Sequence, residues 1–289
     1  MTGRPEHTAR TELIDAHVHV WDPHRVRYDW LAGTVLDRPR LPGDIDDADG
    51  AVDRWVFVEA DAAPADALAE ARWVAGLDWP GLAAMVVAAD LEAPDAAEHM
   101  ARTAELPLVR GIRHLLQGLT PERFAAPALA AGLGEVARAG LVFDACVRRT
   151  QLDALDRLLT DAFDGTVVLD HLGKPSVDAG LDSDAGRAWL ASLRRLARHE
   201  RLVVKLSGLP AETSDADTLR RNGPGLLRAA LDTFGAERCM LAGDWPVSTG
   251  TDGRTTTRAW FDLVRDVVGE ADWPRVAAGT ARTVYGIGD

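Results

Sequence analysis

The sequence predicts an α/β fold, a single (β/α)8 barrel, and three observations carry that expectation. Short apolar runs alternate from end to end with longer stretches of helical periodicity, the pattern of a parallel sheet with crossover helices. Eight such units fit within the 289 residues of the chain, as an eight-stranded barrel requires. No glycine-rich loop follows the first apolar run, which removes the usual mark of the main alternative, an open doubly wound sheet that binds dinucleotides.

Residues 1–12 are polar and read as a flexible leader, which leaves 13–289 for the barrel. The first strand is expected at Leu13–His19, where apolar and polar residues alternate and Asp15, His17 and His19 share one face. The stretch from Trp21 to Asp53 lacks periodicity and is rich in Pro, Gly, Asp and aromatics, as a loop over a site would be. Its Trp21, Tyr28 and Trp30 either cover a substrate or plug the barrel mouth. Further strands are expected at Arg54–Glu59, Ala83–Ala88, Val109–His114, Leu141–Val147, Val167–His171, Leu202–Leu206 and Cys239–Asp244. Helical patterns fall at Ala65–Leu77, Ala96–Glu105, Leu152–Phe163, Ala185–His199, Gly225–Phe234 and Thr256–Val268. A last helix is expected at Pro274–Tyr285, with its proline in the first turn.

Composition narrows the function. A net charge of −13 argues against a nucleic-acid or anionic-membrane surface. No apolar run approaches the roughly 18 residues of a membrane span. Cys146 and Cys239 lie in apolar runs without motif spacing, which suggests reduced, buried thiols in a cytoplasmic protein. The expected partner is a small molecule, and a homo-oligomer is compatible with the sequence. Of 32 basic residues only Lys174 and Lys205 are lysines, and both fall in glycine-containing strand ends. Either this is chance, or an ammonium serves there where a planar guanidinium cannot.

Ionisable residues gather at the ends of the predicted strands, the face on which barrel enzymes carry their sites. They are His17 and His19, Glu59, Arg113 and His114, Arg148, Asp170 and His171, Lys205 and Ser207, and Asp244. Two imidazoles at i and i+2 on a strand converge on one side. His17, His19, His171 and Asp244 form a candidate zinc set, with Glu59 as a further metal candidate. A bound ion would lower the pKa of its water to about 7, and Asp244 would shuttle the proton. Without a metal, the histidines would bind substrate oxygens and His171 with Asp244 would form a general-base pair. Arg113 and Arg148 suit a substrate carboxylate, or serve structural ion pairs. Trp21, His114, Lys174, Lys205 and Trp245 complete the substrate-binding candidates.

With these residues in view, the chain resembles the amidohydrolase superfamily, in the branch called amidohydrolase-related family 2. The resemblance runs from Ile14-Asp15-Ala16-His17-Val18-His19-Val20-Trp21-Asp22-Pro23 to Gly279-Thr280-Ala281-Arg282 and Tyr285-Gly286. It passes through Gly111-Ile112-Arg113-His114, Leu169-Asp170-His171-Leu172-Gly173-Lys174-Pro175, Lys205-Leu206-Ser207-Gly208-Leu209 and Gly243-Asp244-Trp245-Pro246. Within the branch it is most similar to the lactonases of L-fuconolactone, other sugar-acid lactones and pyrone dicarboxylates.

The resemblance implies a distorted barrel and hydrolysis of a cyclic ester. It places His17, His19 and His171 around a metal or the substrate carbonyl, and makes Asp244 the general base. Dinuclear relatives use a carboxylated lysine on the fourth strand. Arg113-His114 stands there instead, so the expectation is one divalent ion at most, zinc by preference, and a metal that some lactonases of this group dispense with. Glu59 stands where relatives often carry Gln. The alternative activity is a zinc-dependent decarboxylase of an unsaturated or aromatic acid, which would use the same histidines and aspartate. A non-catalytic binding barrel would not need so many ionisable strand ends.

Overall fold

A computed structural model describes residues 10–250 and 254–288. Eight parallel strands form one sheet in the order β1 to β8: β1 Ile14–Val18, β2 Arg54–Val58, β3 Leu82–Ala88, β4 Val109–Arg113, β5 Val142–Ala145, β6 Val167–Leu169, β7 Leu202–Leu206 and β8 Cys239–Leu241. The sheet closes just past β8. The Asp244 amide donates to the His17 carbonyl at 2.8 Å and the His19 amide to the Trp245 carbonyl at 2.8 Å. Closure through two loop residues, rather than along a full-length eighth strand, distorts the barrel and sets Asp244 beside the two histidines of β1.

Alternation along the strands separates core from site. On β5 to β8 successive same-face positions run from apolar to ionisable: Val142 then Asp144, Val168 then Asp170, Val203 then Lys205, Met240 then Ala242 and Asp244. The apolar members join Ile14, Ala16, Val56, Val58, Ala84 and Val86 in a buried cluster with Tyr285 from the C-terminal helix. The opposite face, with Phe57, Ile112, Phe143, Leu169, Val204 and Leu241, packs against the surrounding helices. On β1 the register shifts between Asp15 and Val18, an irregularity of the kind that re-aims side chains beside active sites.

The helices are α1 Ala67–Ala75, α2 Ala96–Ala104, α3 Pro127–Arg138, α4 Leu152–Ala162, α5 Asp184–Leu196, α6 Ala216–Phe234, α7 Thr257–Val268 and α8 Thr280–Tyr285, the last entered through a π-turn at Arg275–Gly279. Side chains of Ser183, Asp215 and Thr256 cap α5, α6 and α7 on backbone amides. The sequence patterns find most of these. Helix α6 starts at Ala216 rather than Gly225, because its buried face of Leu219, Gly223, Leu226 and Leu227 continues through Pro224. Helix α3 is not singled out by the patterns, since Gly132 and Gly134 lower its helical propensity. Gly132 is required by contact: a Cβ there would lie 2.1 Å from the Leu91 carbonyl oxygen.

Residues 1–9 of the expected leader lie outside the described residues. Arg10 and Glu12 are tied to the barrel, Arg10 by an ion pair to Asp53 and Glu12 by pairs to Arg54 and Arg282. Among the described residues no helix is long and apolar enough to cross a membrane.

Candidate active site

The carboxyl-terminal ends of β1, β6 and β8 bring three imidazoles to one carboxylate. Asp244 Oδ1 lies 3.2 Å from His19 Nε2, 3.5 Å from His17 Nε2 and 3.9 Å from His171 Nε2. The other oxygen, Oδ2, accepts a short hydrogen bond from Ser248, so Oδ1 is the atom presented to the imidazoles. His19 is fixed by its Nδ1, 2.8 Å from the Val58 carbonyl. A carbonyl only accepts, so Nδ1 carries the proton and Nε2 keeps its lone pair. His171 Nδ1 meets Ser207 Oγ at 2.9 Å. His17 Nδ1 is shared between Lys205 Nζ at 3.1 Å and Asp170 Oδ1 at 3.3 Å.

Backbone strain accompanies this convergence. Asp244 has φ +55°, and four residues in a row, His171 to Lys174, have φ between +54° and +67°. Left-handed geometry costs roughly 1–2 kcal/mol per non-glycine residue, and such strain concentrates at functional sites. The turn is held by the Trp189 indole on the Leu172 carbonyl at 2.8 Å. Its approach to β7 demands glycine at Gly208, where φ is +78° and a Cβ would lie 2.4 Å from that of His171.

Burial and neighbouring charge set the protonation of these groups. Burial opposes a charge on Asp244, yet the surrounding imidazoles of His171, His19 and His17 hold its carboxyl well below the usual carboxylate range. Burial pushes His171 down to about 4. His17 is held well below the imidazole range by burial and the Lys205 ammonium. Burial likewise works against Lys205, but Asp144 and Asp170 keep it above its ordinary value. The site at neutral pH is therefore a carboxylate facing neutral His17 and His171.

Two donor sets converge tightly enough to hold a cation: His17, His19 and Asp244, and His17, Asp170 and His171. The first fits a divalent metal by chemistry as well as distance, because the His19 lone pair and Asp244 Oδ1 point at each other with nothing between them to donate. Neither set contains Glu59. Its carboxylate is engaged by the Arg113 guanidinium and by the Asp61 amide, so the structure ties this metal candidate into an ion pair.

Above the four groups opens a cavity of about 290 Å³, lined among others by His19, His171, Asp244, Arg113 and Lys174. The other expected substrate contacts lie elsewhere. Trp21 is fully buried, with its indole on the Leu36 and Arg38 carbonyls, in the small core of its own loop; Trp30 from that loop faces the cavity instead. Trp245 is buried beneath Arg40. His114 binds the Ala89 carbonyl and borders an adjoining cavity of about 530 Å³ that shares Asp61, Arg113 and Leu115 with this one. Arg148 is exposed and outside the cavity lining. Lys205 lies beneath the floor, fully buried against Asp144 and Asp170. Sequence reasoning passes over Asp144, although an acid inside an apolar strand is the signal that finds its neighbours. It also passes over Asp61, Gln117, Glu212 and Ser248, which sit on loops where no periodicity marks them.

Known proteins share the sequence pattern and the fold of this chain. A family model described as Amidohydrolase matches residues 14–287. An L-fucono-1,5-lactonase of Burkholderia multivorans is 34% identical over 254 residues, covering 81% of this chain and 82% of the relative. The L-fucono-1,5-lactonase of Burkholderia ambifaria is 32% identical over 247 residues, covering 82% of this chain and 81% of the relative. A crystal structure of an amidohydrolase from Burkholderia multivorans with bound zinc superposes with a TM-score of 0.82 at 31% identity, over 96% of this chain and all of that one.

Proposed function

The chain belongs to the amidohydrolase family, and we propose that it is a lactonase that opens a neutral, hydroxylated sugar lactone. The observation that carries this reading is the single carboxylate, Asp244, held ionised at the cavity floor among three imidazoles. In this reading Asp244 Oδ1 takes a proton from water as the water oxygen attacks the lactone carbonyl. The tetrahedral oxyanion forms against His171 Nε2, which lines the cavity. Asp244 then returns the proton to the ring oxygen as the C–O bond breaks, leaving a hydroxy acid. A divalent ion, zinc by preference and one per chain, would be held by His17, His19 and Asp244 and would polarise the carbonyl.

The charge of the cavity supports a neutral substrate over a carboxylated one. Its lining holds three acids, Asp61, Glu212 and Asp244, against two cations, Arg113 and Lys174. Arg113 is already engaged by Glu59 and Asp170, so its guanidinium does not await a carboxylate. Lys174, whose Nζ is 2.5 Å from Gln117 Oε1, and the acids Asp61 and Glu212 suit ring hydroxyls. Trp30 offers an aromatic wall for the ring.

The test is a pH-indicator assay with L-fucono-1,5-lactone, other aldonolactones and 2-pyrone-4,6-dicarboxylate. We expect one proton per lactone opened, no CO2, and kcat/KM at least about a hundredfold higher for a neutral lactone than for the dicarboxylate. Preference for the dicarboxylate would refute the substrate class. Stoichiometric CO2 from an unsaturated or aromatic acid, with every lactone left intact, would refute the reaction.

A further inference from the structure

Beneath the cavity floor lies a buried charge group that reaches no substrate surface. Lys205 Nζ is 2.5 Å from Asp144 Oδ2, 3.1 Å from Asp170 Oδ1 and 3.1 Å from His17 Nδ1. Tyr285 backs it, its hydroxyl 3.1 Å from Asp144 Oδ2. An ammonium has only protons to give. A His17 nitrogen that meets it must therefore present a lone pair, which sends the ring proton to Nε2. That proton then faces the lone pair of His19 Nε2 at 3.1 Å, and Asp244 Oδ1 lies 3.5 Å away.

A histidine that binds metal through Nε2 needs the opposite arrangement: a lone pair on Nε2 and an Nδ1 proton donated to a carboxylate or carbonyl. His19 has that arrangement on the Val58 carbonyl. His17 has the means for it in Asp170 Oδ1 at 3.3 Å, but the ammonium competes for the same nitrogen. We propose that Lys205 is a positioning residue that holds His17 as the Nε2–H tautomer and thereby lowers the affinity of the His17–His19–Asp244 set for a divalent cation. The lysine also places a positive charge one residue behind the cation, which works in the same direction. Its chemistry explains its identity in a chain that otherwise uses arginine: a compact ammonium can meet two carboxylate oxygens and a ring nitrogen at one point, whereas a planar fork cannot. The inference rests on the donor set and not on the lactone reading, so its test reads zinc and ring protons instead of turnover.

Zinc binding is measured by isothermal titration calorimetry on the wild type, Lys205→Met and the double variant Lys205→Met/Asp144→Asn. The double variant removes both charges of the ion pair, because leaving one buried charge unpaired is strongly destabilising. We expect zinc to bind at least about tenfold more tightly to a folded variant than to the wild type. Structural damage alone would loosen the site, so a gain is a readout that a merely structural lysine does not produce. Equal or weaker binding in a variant with native circular dichroism overturns the proposal. The wild type gives an independent answer: in long-range 15N–1H spectra of the zinc-free protein, with His17 assigned through His17→Gln, its proton should reside on Nε2. A proton on Nδ1 overturns the proposal whether or not the variants fold.

Discussion

Asp244 divides its two oxygens between fixed partners: Ser248 on Oδ2, and the imidazoles of His19, His17 and His171 around Oδ1. One oxygen thus anchors the side chain while the other is left for proton transfer. Replacing the carboxylate by a carboxamide keeps the shape and the contact with Ser248 but removes the base. Asp244→Asn should therefore lower kcat by at least about 10²-fold, the scale of general acid–base catalysis, while the melting temperature stays within a few degrees of wild type. Turnover close to wild type in a folded variant would take Asp244 out of the mechanism. Lys174 gives a second case at this scale. It faces the cavity from the left-handed turn after β6, so Lys174→Ala should raise KM more than it lowers kcat. Steady-state kinetics on a neutral lactone separates the two, and an unchanged KM would return Lys174 to a structural role.

At the scale of elements, the turn of His171 to Lys174 and the start of the segment after β7 are packed as one unit. Gly208 admits the His171 side chain only because it has no Cβ, and its own φ is left-handed. Gly208→Ala should cost about 1–3 kcal/mol of stability, the usual range for such a backbone conflict, and should lower kcat by displacing His171. Denaturant unfolding combined with turnover checks both; an active, fully stable variant would mean that the turn relaxes without consequence. The elements themselves are legible in the sequence where a period repeats. All eight strands are found because β-branched and aliphatic residues alternate there, and His17, His19, His171 and Asp244 are found because each interrupts that pattern at a strand end. Trp21 misleads because an aromatic in an aperiodic loop can fill the loop's own core as readily as a cavity. Lys205 misleads because a strand-end position does not say how deep the side chain lies. Gln117, Glu212 and Ser248 are silent because a loop places residues by its path, which no short-range pattern encodes.

At the scale of the whole molecule, the barrel carries buried groups whose proton linkages oppose one another. His171 is held at about 4 by burial, below its ordinary value of 6.5. Between those values the unfolded chain binds more protons than the folded one, so this histidine subtracts stability as pH falls from about 6.5 to about 4. Asp15 is pushed up by burial from 3.8 to about 7, despite accepting the amides of Gly243 and His17. There the folded chain binds more protons, so the aspartate subtracts stability as pH rises from about 4 to about 7. The two tilts cancel in part in the wild type and can be separated by removing either group. The stability of wild type relative to His171→Asn should fall as pH drops through that histidine's window, by up to about 3 kcal/mol in all, because each pH step of one within the window is worth roughly 1.4 kcal/mol. The stability of wild type relative to Asp15→Asn should fall as pH rises across nearly the same window. Urea unfolding of the three proteins at half-unit steps from about pH 4 to about pH 8 measures both differences. Parallel profiles, or tilts of the same sign, would show that these side chains do not hold their protons as the buried geometry requires.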